Sequence, residues 1–177
     1  MISYENFRLP KRRDVRQLTD DVAVLTVGSI AEAVFSNDRY GVYAFHGTLR
    51  KSDTHGSLLL GGQWMESKGA PDKTLYKVLP TPVSQDTPST LDIEALNHGD
   101  AVTAWLDDPH YGLLRVTGVA LWSEVDQSFS VGGWFISIAG RPSQRLRALV
   151  VEDAVGTHEL PVPGFLKALS EDVSTSE

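Results

Sequence analysis

Apolar and polar residues alternate along this chain in short stretches, and the stretches come in the same order twice. Alternation with a period of two is the pattern of a half-buried β-strand, because successive side chains of a strand point to opposite faces. Polar turn sequences such as residues 36–39 and 107–110 separate the stretches. The pattern predicts four strands in each half, at residues 30–35, 40–50, 56–66 and 74–79, and at residues 101–106, 111–122, 127–138 and 145–151. Short strands at regular spacing are typical of an all-β sandwich or barrel.

The two halves are related as an internal repeat. A shift of 71 positions places residues 19–79 on residues 90–150 without a gap, with 15 identities in 61 aligned positions. Six of the identities are glycines, which mark backbone that bends or adopts positive φ. The shared residues therefore indicate shared geometry more than shared chemistry, and a repeat of this kind governs the fold prediction.

Glycines inside the predicted strands indicate how each half closes. Gly47 and Gly118 lie in the second strand of their halves, and Gly-Gly pairs occur at residues 61–62 and 132–133 in the third. Interior strand glycines mark bulges or bends, and a long strand that bends into two sheets can close a small barrel. We therefore predict an all-β protein made of two tandem SH3-like barrels related by internal duplication. The alternative is one barrel or sandwich built from both halves about a pseudo-two-fold axis.

The chain divides into five parts on this interpretation. A basic N-terminal arm, residues 1–18, precedes the first segment, residues 19–79. A proline-rich connector, residues 80–89, leads to the second segment, residues 90–151. In residues 152–177 the sequence predicts a short helix from Pro163 and a polar, acidic end. The connector is extended and polar, so it permits either arrangement of the two halves.

The charge of the chain argues against nucleic acid as the main partner. The net charge is −7, and the second segment and the C-terminal part are both acidic, so they repel phosphate. The absence of cysteine excludes disulfides and thiolate metal sites, and it suits a cytoplasmic protein. We expect no membrane span, because no stretch approaches about 20 apolar residues. We also expect no secretory signal, because no apolar core follows the basic arm.

The second segment contains three tryptophans that the first segment lacks. They are Trp105, Trp122 and Trp134, aligned with Val34, Lys51 and Gln63. Alternation places Trp105 and Trp134 on outward faces of their strands, and Trp122 beside a turn. An indole buries on the order of 200 Å², so three of them in water would be unusual. Three explanations remain open: packing against another part of the chain, a homodimer interface, or a surface for a ligand or peptide.

The residue types that carry most enzyme chemistry form no recognised motif in this chain. The five histidines lack metal-ligand spacing, and no nucleophile elbow, P-loop or dinucleotide-binding glycine motif occurs. Two acids and a histidine at residues 107–110 are explained by turn geometry. We therefore predict no catalytic residue, no metal site and no cofactor.

The expected function is that of a non-enzymatic adaptor or scaffold that binds a protein or peptide, or a second copy of itself. The predicted contact residues are Trp105, Tyr111, Trp122 and Trp134. One alternative is a small-molecule-binding protein or small enzyme with its site at the junction between the halves. The candidate residues of that site are His46, Arg50, Asp107 and His110. A weaker alternative is nucleic-acid binding through the N-terminal arm and Arg141, Arg145 and Arg147.

Overall fold

The computed structural model of the protein describes residues 14–37, 39–52, 57–65, 73–80 and 87–153. These residues are mostly β-structure, with several antiparallel sheets and one short helix, so the predicted all-β class is confirmed. Most of the basic arm, residues 81–86 of the connector and the predicted C-terminal helix lie outside the described residues. No helix in the described ranges has both the length and the apolar character that a membrane span requires.

Strands follow the predicted order in both segments. In the first segment they are β1 (Ile30–Asn37), β2 (Gly41–Thr48), β3 (Arg50–Lys51), β4 (Leu58–Leu60), β5 (Gln63–Trp64) and β6 (Lys73–Pro80). In the second segment they are β7 (Ala101–Asp108), β8 (Gly112–Val119), β9 (Leu121–Ser123), β10 (Ser128–Val131), β11 (Trp134–Ile138), β12 (Arg141–Pro142) and β13 (Leu146–Asp153). β1 and β7 begin 71 residues apart, as do β2 and β8, which is the spacing of the sequence repeat.

Six strands form the largest sheet, in the order β13-β7-β8-β2-β1-β6, with antiparallel pairing throughout. β3, β4 and β5 form a three-stranded sheet, and β9 to β12 form a four-stranded sheet. None of these sheets closes into a barrel within the described residues. The structure therefore differs from the prediction of two separate SH3-like barrels, because strands of both segments share one sheet.

The two segments meet where β2 pairs with β8. The paired residues are Ala44 and Thr117, Phe45 and Val116, and His46 and Arg115. Phe45 and Val116 occupy equivalent positions of the repeat, and both are fully buried. An antiparallel pair of equivalent residues implies an approximate two-fold axis between them. This arrangement is closer to the alternative prediction, in which both halves build one unit, although its sheets are open.

The second predicted strand of each segment bends and contributes to two sheets. In the first segment Leu49 separates β2 from β3; its N–H donates to the Ser29 carbonyl, and its carbonyl accepts the Gly28 N–H, both at 2.9 Å. The same two bonds, each 2.8 Å long, hold Ala120 between β8 and β9. The bend therefore lies two residues after Gly47, and the turn that precedes β1 holds it in place.

Gly47 and Gly118 make room for side chains of the opposite segment. A Cβ atom at Gly47 would lie 2.7 Å from Leu114 Cδ2, and one at Gly118 would lie 3.1 Å from Tyr43 Cβ. Tyr43 and Leu114 are themselves equivalent in the repeat, and both are buried. Each segment thus lacks a side chain where it receives one from the other segment, so close packing, not bending, explains these two glycines.

The Gly-Gly pairs are hairpin turns and not bends within one strand. Their φ angles are 58° and 81° at residues 61–62, and 56° and 88° at residues 132–133, as a type I′ turn requires. Such a turn joins two paired strands, here through Val131 opposite Trp134, so the alternation restarts after it. Uninterrupted alternation would place Phe135 in the core, but Phe135 is 45% exposed and Ile136 is buried instead.

A helix that the sequence analysis did not predict, α1 (Val15–Ala23), begins within the basic arm. The Asp14 carboxylate accepts the Arg16 N–H at 2.8 Å, and the Gln17 side chain accepts the Asp14 N–H at 3.3 Å. This reciprocal pair of bonds is a capping box. Leu18 of the helix is buried in the core, so α1 is part of the folded unit.

Replacement of Gly132 by alanine should destabilise the protein more than the same replacement at Gly140. Both glycines have positive φ, 56° and 77°, so both variants lose about 1 kcal/mol to backbone strain. A Cβ at Gly132 would also lie 3.0 Å from Tyr43 Cδ2, whereas nothing lies within 4 Å of one at Gly140. Crowding a packed core costs a further ~1–3 kcal/mol. Urea unfolding of both variants measures the difference, and equal losses would contradict the packing of Tyr43 across the junction.

Candidate functional site

A cavity of about 290 Å³ lies where the two segments meet. We call it the junction cavity. Ten of its twelve lining residues belong to the second segment, and two belong to the first. The lining includes three aromatic side chains and three ionisable ones, which are Tyr40, Trp122, Phe135, Arg39, His98 and Asp126. The cavity therefore combines apolar surface with both signs of charge.

Tyr40 reaches the junction cavity from the turn between β1 and β2. The Asn37 side-chain oxygen accepts the backbone N–H groups of Arg39 at 2.7 Å and of Tyr40 at 3.1 Å, which fixes this turn. The Tyr40 ring then lies against Gly133, where an added Cβ would be 3.4 Å from Tyr40 Cε2. The glycine turn of the second segment thus provides the flat surface on which a tyrosine of the first segment rests.

Trp122 lies on β9 and lines the side of the junction cavity that the second segment provides. Its ring meets the Phe129 ring edge to face, with 5.0 Å between the centroids. Its backbone N–H donates to His98 Nδ1 at 3.0 Å. A neutral His98 therefore carries its proton on Nε2. These contacts hold Trp122 and His98 together before any ligand binds.

Asp126 supplies a carboxylate from the turn between β9 and β10. The Ser123 hydroxyl donates to Asp126 Oδ2 at 3.0 Å, and the Asp126 backbone N–H donates to Ser123 Oγ at 3.2 Å. Among the described parts of the chain, no cationic side chain lies within 4.0 Å of this carboxylate. Asp126 is exposed, and within the described ranges its negative charge is held in place but not neutralised by an ion pair.

A second cavity of about 110 Å³ is lined by residues of β1, β2, β7 and β8, and we call it the sheet-face cavity. Its lining includes His46, Trp105 and Arg115, which are neighbours across β2, β8 and β7. Arg115 also approaches Glu32 on β1, with 3.7 Å between Nη2 and Oε2. Burial, and then the positive charge of Arg115, lower the pKa of His46.

The four predicted contact residues lie in three different places. Trp122 lines the junction cavity, and Trp105 lines the sheet-face cavity. Tyr111 and Trp134 contact each other edge to face, with centroids 6.3 Å apart. The Arg145 guanidinium lies 6.0 Å from the Trp134 ring centroid, and Trp134 packs against the core. The predicted outward position of Trp134 is therefore wrong, and the hairpin turn at residues 132–133 is the reason.

Two of the three arginines predicted to bind nucleic acid in the weaker alternative form ion pairs within the protein. Arg145 pairs with the buried Asp108 at 2.6 Å, and Arg147 pairs with Asp107 at 3.5 Å. Asp108 also accepts the backbone N–H groups of His110 and Tyr111, at 2.8 Å and 3.1 Å. The acidic turn is thus organised by its own backbone and by these arginines. The described residues contain no cluster of three or more His, Asp or Glu side chains that could hold a metal ion.

The four residues predicted to form a small-molecule site also lie in different places. His46 lies in the sheet-face cavity, whereas Asp107 lies in the ion pair with Arg147. Arg50 and His110 are exposed near Gly112 and Tyr111. The structure therefore does not bring these four residues into one site. A cavity does lie at the junction, but different residues line it.

Sequence reasoning missed Tyr40, His98, Asp126 and Phe135. The sequence could have indicated Tyr40, because Tyr40-Gly41 recurs as Tyr111-Gly112 in the repeat. The other three residues are joined to Tyr40 only by the crossing of the two segments, which alternation within one strand does not reveal.

No protein-family model, curated protein or solved structure matches this chain. The chemistry of the junction cavity is therefore the basis for a functional hypothesis. Aromatic rings provide apolar contact area, and a few polar groups at the rim orient a ligand. Its volume is close to the lower end of the usual range for ligand pockets, about 300 Å³. Such a volume accommodates one side chain of a bound peptide, or a small molecule.

The lowered pKa of His46 predicts that folding stability depends on pH. The folded protein releases the His46 proton more readily than the unfolded chain, whose pKa is the ordinary 6.5. The unfolded chain therefore binds more protons as the pH falls below this value. We expect the His46 contribution to stability to be complete above pH 6.5 and to be lost as the pH falls through the folded pKa. Urea unfolding of wild type and His46→Gln at several pH values measures it, and the variant should have the shallower pH dependence.

Because His46→Gln also alters packing, a second measurement uses the wild type alone. The NMR chemical shift of the His46 ring, followed through a pH titration of the wild type, reports the pKa in the folded protein directly. A midpoint at or above 6.5 would refute the effect of burial and Arg115.

Proposed function

We propose that this protein is a non-enzymatic adaptor whose junction cavity binds a segment of a partner protein. The observation that carries the proposal is the meeting of Tyr40, Trp122 and Phe135, from both segments, around one open cavity. Tryptophan and tyrosine are the residues on which binding energy at protein interfaces concentrates. Phe135 leaves 45% of its surface in water, and covering that surface favours association.

The side chains that line the cavity are already held in place, so the proposed binding site is preformed. Trp122 is already held by Phe129 and His98, and Tyr40 by the turn at Asn37. A ligand therefore orders few side chains when it binds, which reduces the entropic cost of association.

A small molecule is the second candidate occupant of the same cavity. His98 and Asp126 both line it, so it offers a hydrogen-bond donor and an anion within a volume of about 290 Å³. Native mass spectrometry of the purified protein distinguishes this candidate, because a retained metabolite adds a discrete mass.

We also propose that the two segments descend from one small SH3-like β unit by tandem duplication. The gap-free alignment of residues 19–79 with 90–150 supports this origin. The 71-residue spacing of equivalent strands and the recurrence of the hydrogen bonds around Leu49 and Ala120 support it as well.

Substitution of Trp122 by alanine should abolish most of the peptide binding. The probe is a set of dodecapeptides selected by phage display against the full chain and then synthesised. Loss of a central aromatic residue at an interface typically costs about 2 kcal/mol, which is about 30-fold in Kd. Isothermal titration calorimetry of wild type and Trp122→Ala with the same peptides measures this ratio.

Trp105→Ala is the matched control, because Trp105 lies in the sheet-face cavity. It should leave the Kd within about two-fold of the wild type, since sites without shared contacts behave independently. Failure to select any peptide, or equal affinity of the Trp122 variant and the wild type, would reject the junction cavity as a peptide site.

A further inference from the structure

The junction cavity has the chemical character of a site for a positively charged group. The faces of tyrosine, tryptophan and phenylalanine rings attract cations through their negative quadrupole. Asp126 adds a full negative charge to the same lining, and no described cation lies within 4.0 Å of it. An incoming cation would therefore meet both a π surface and a carboxylate that no cation of the described residues neutralises.

Arg39 already makes a cation–π contact at this cavity within the protein. Its guanidinium carbon lies 5.5 Å from the centroid of the Tyr40 ring, which is within the range of a cation–π contact. Arg39 is exposed, and no carboxylate among the described residues forms an ion pair with it. It therefore occupies the Tyr40 side of the cavity through a weak contact that a ligand can displace.

The equivalent positions of the first segment have the opposite character. Leu121 and Trp122 of the junction cavity correspond to Arg50 and Lys51, and Arg39 corresponds to His110. Arg50 and Lys51 are both exposed, so they repel a cation. Within the described residues, the surface of the first segment that is equivalent to the junction cavity is therefore basic, and we expect a cation to bind at the junction cavity instead.

We infer that the junction cavity recognises the guanidinium or ammonium group of an arginine or lysine side chain in the partner segment. This inference rests on the proposed adaptor function and specifies its ligand. The group would lie against Trp122 and Phe135 with its charge toward Asp126, and it would displace Arg39 from Tyr40. The net charge of −7 favours the approach of a basic partner over a longer distance.

The test compares two tripeptides that differ only in charge. They are acetyl-Gly-Arg-Gly-amide and the same peptide with citrulline, a neutral analogue of similar size and shape. NMR titration of the ¹⁵N-labelled full chain follows the Trp122 indole N–H, with the Trp105 indole N–H as the internal control. We expect the arginine peptide to shift the Trp122 signal with a 1:1 stoichiometry, and the citrulline peptide to bind about five-fold or more weakly.

Two variants test the roles of the charged residues. Asp126→Asn should weaken the arginine peptide several-fold and leave the citrulline peptide unchanged, because only the charged group senses the carboxylate. Arg39→Gln should strengthen the arginine peptide, because the competing cation is removed. The ¹⁵N spectrum of each variant verifies that the fold is retained.

The possible failures separate the two proposals. Equal affinity for arginine and citrulline, with clear shifts at Trp122, would overturn the cation inference and leave the junction cavity as a peptide site. Absence of shifts at Trp122 with either peptide, together with failure of the phage selection, would overturn both. Shifts confined to residues around Arg50 and Lys51 would assign the binding to the other segment and also overturn the inference.

Discussion

The pairing of β2 with β8 is the interaction on which the rest of this structure depends. It joins two three-stranded halves into one six-stranded sheet, and it places Phe45 and Val116 at the centre of a common core. Loss of a fully buried phenylalanine side chain typically costs about 3–5 kcal/mol, which is a large part of the stability of a small domain. A body of about 60 residues buries only about 60% of the surface of its unfolded chain. The shared sheet therefore adds buried surface to a pair of segments that are each small.

Close approach of the two segments also explains some of the residues that they share. Gly47 and Gly118 accommodate Leu114 and Tyr43, and the glycine turns accommodate Tyr111 and Tyr40. Each of these contacts crosses from one segment to the other and has a counterpart in the reverse direction. Four of the 15 identities thus lie at the junction, at Tyr40, Gly47, Gly61 and Gly62 and their counterparts in the second segment. The junction cavity lies beside this packed region, and its aromatic rim is built on the same glycine turn.

Much of the secondary structure could be predicted from the alternation of residues, and little of the site could. Strands β1, β2, β7 and β8 follow the predicted positions closely, because a polar turn separates β1 from β2 and β7 from β8 and apolar residues recur at alternate positions of their core face. The same rule failed after residues 61–62 and 132–133, because a two-residue turn reverses the chain and restarts the period. Trp134 and Phe135 exchanged faces for this reason. Asp126 and Tyr40 line the same cavity only because the segments pair, which depends on the register of strands far apart in the sequence.

A single chain with approximate two-fold architecture has a freedom that an assembly of identical subunits lacks. In a symmetric dimer every substitution appears at both sites, so one site cannot become apolar while the other becomes basic. Here Leu121 and Trp122 stand opposite Arg50 and Lys51 across the axis, while the packing around Phe45 and Val116 remains matched. The symmetric centre can thus be retained for stability while the two ends evolve separate preferences.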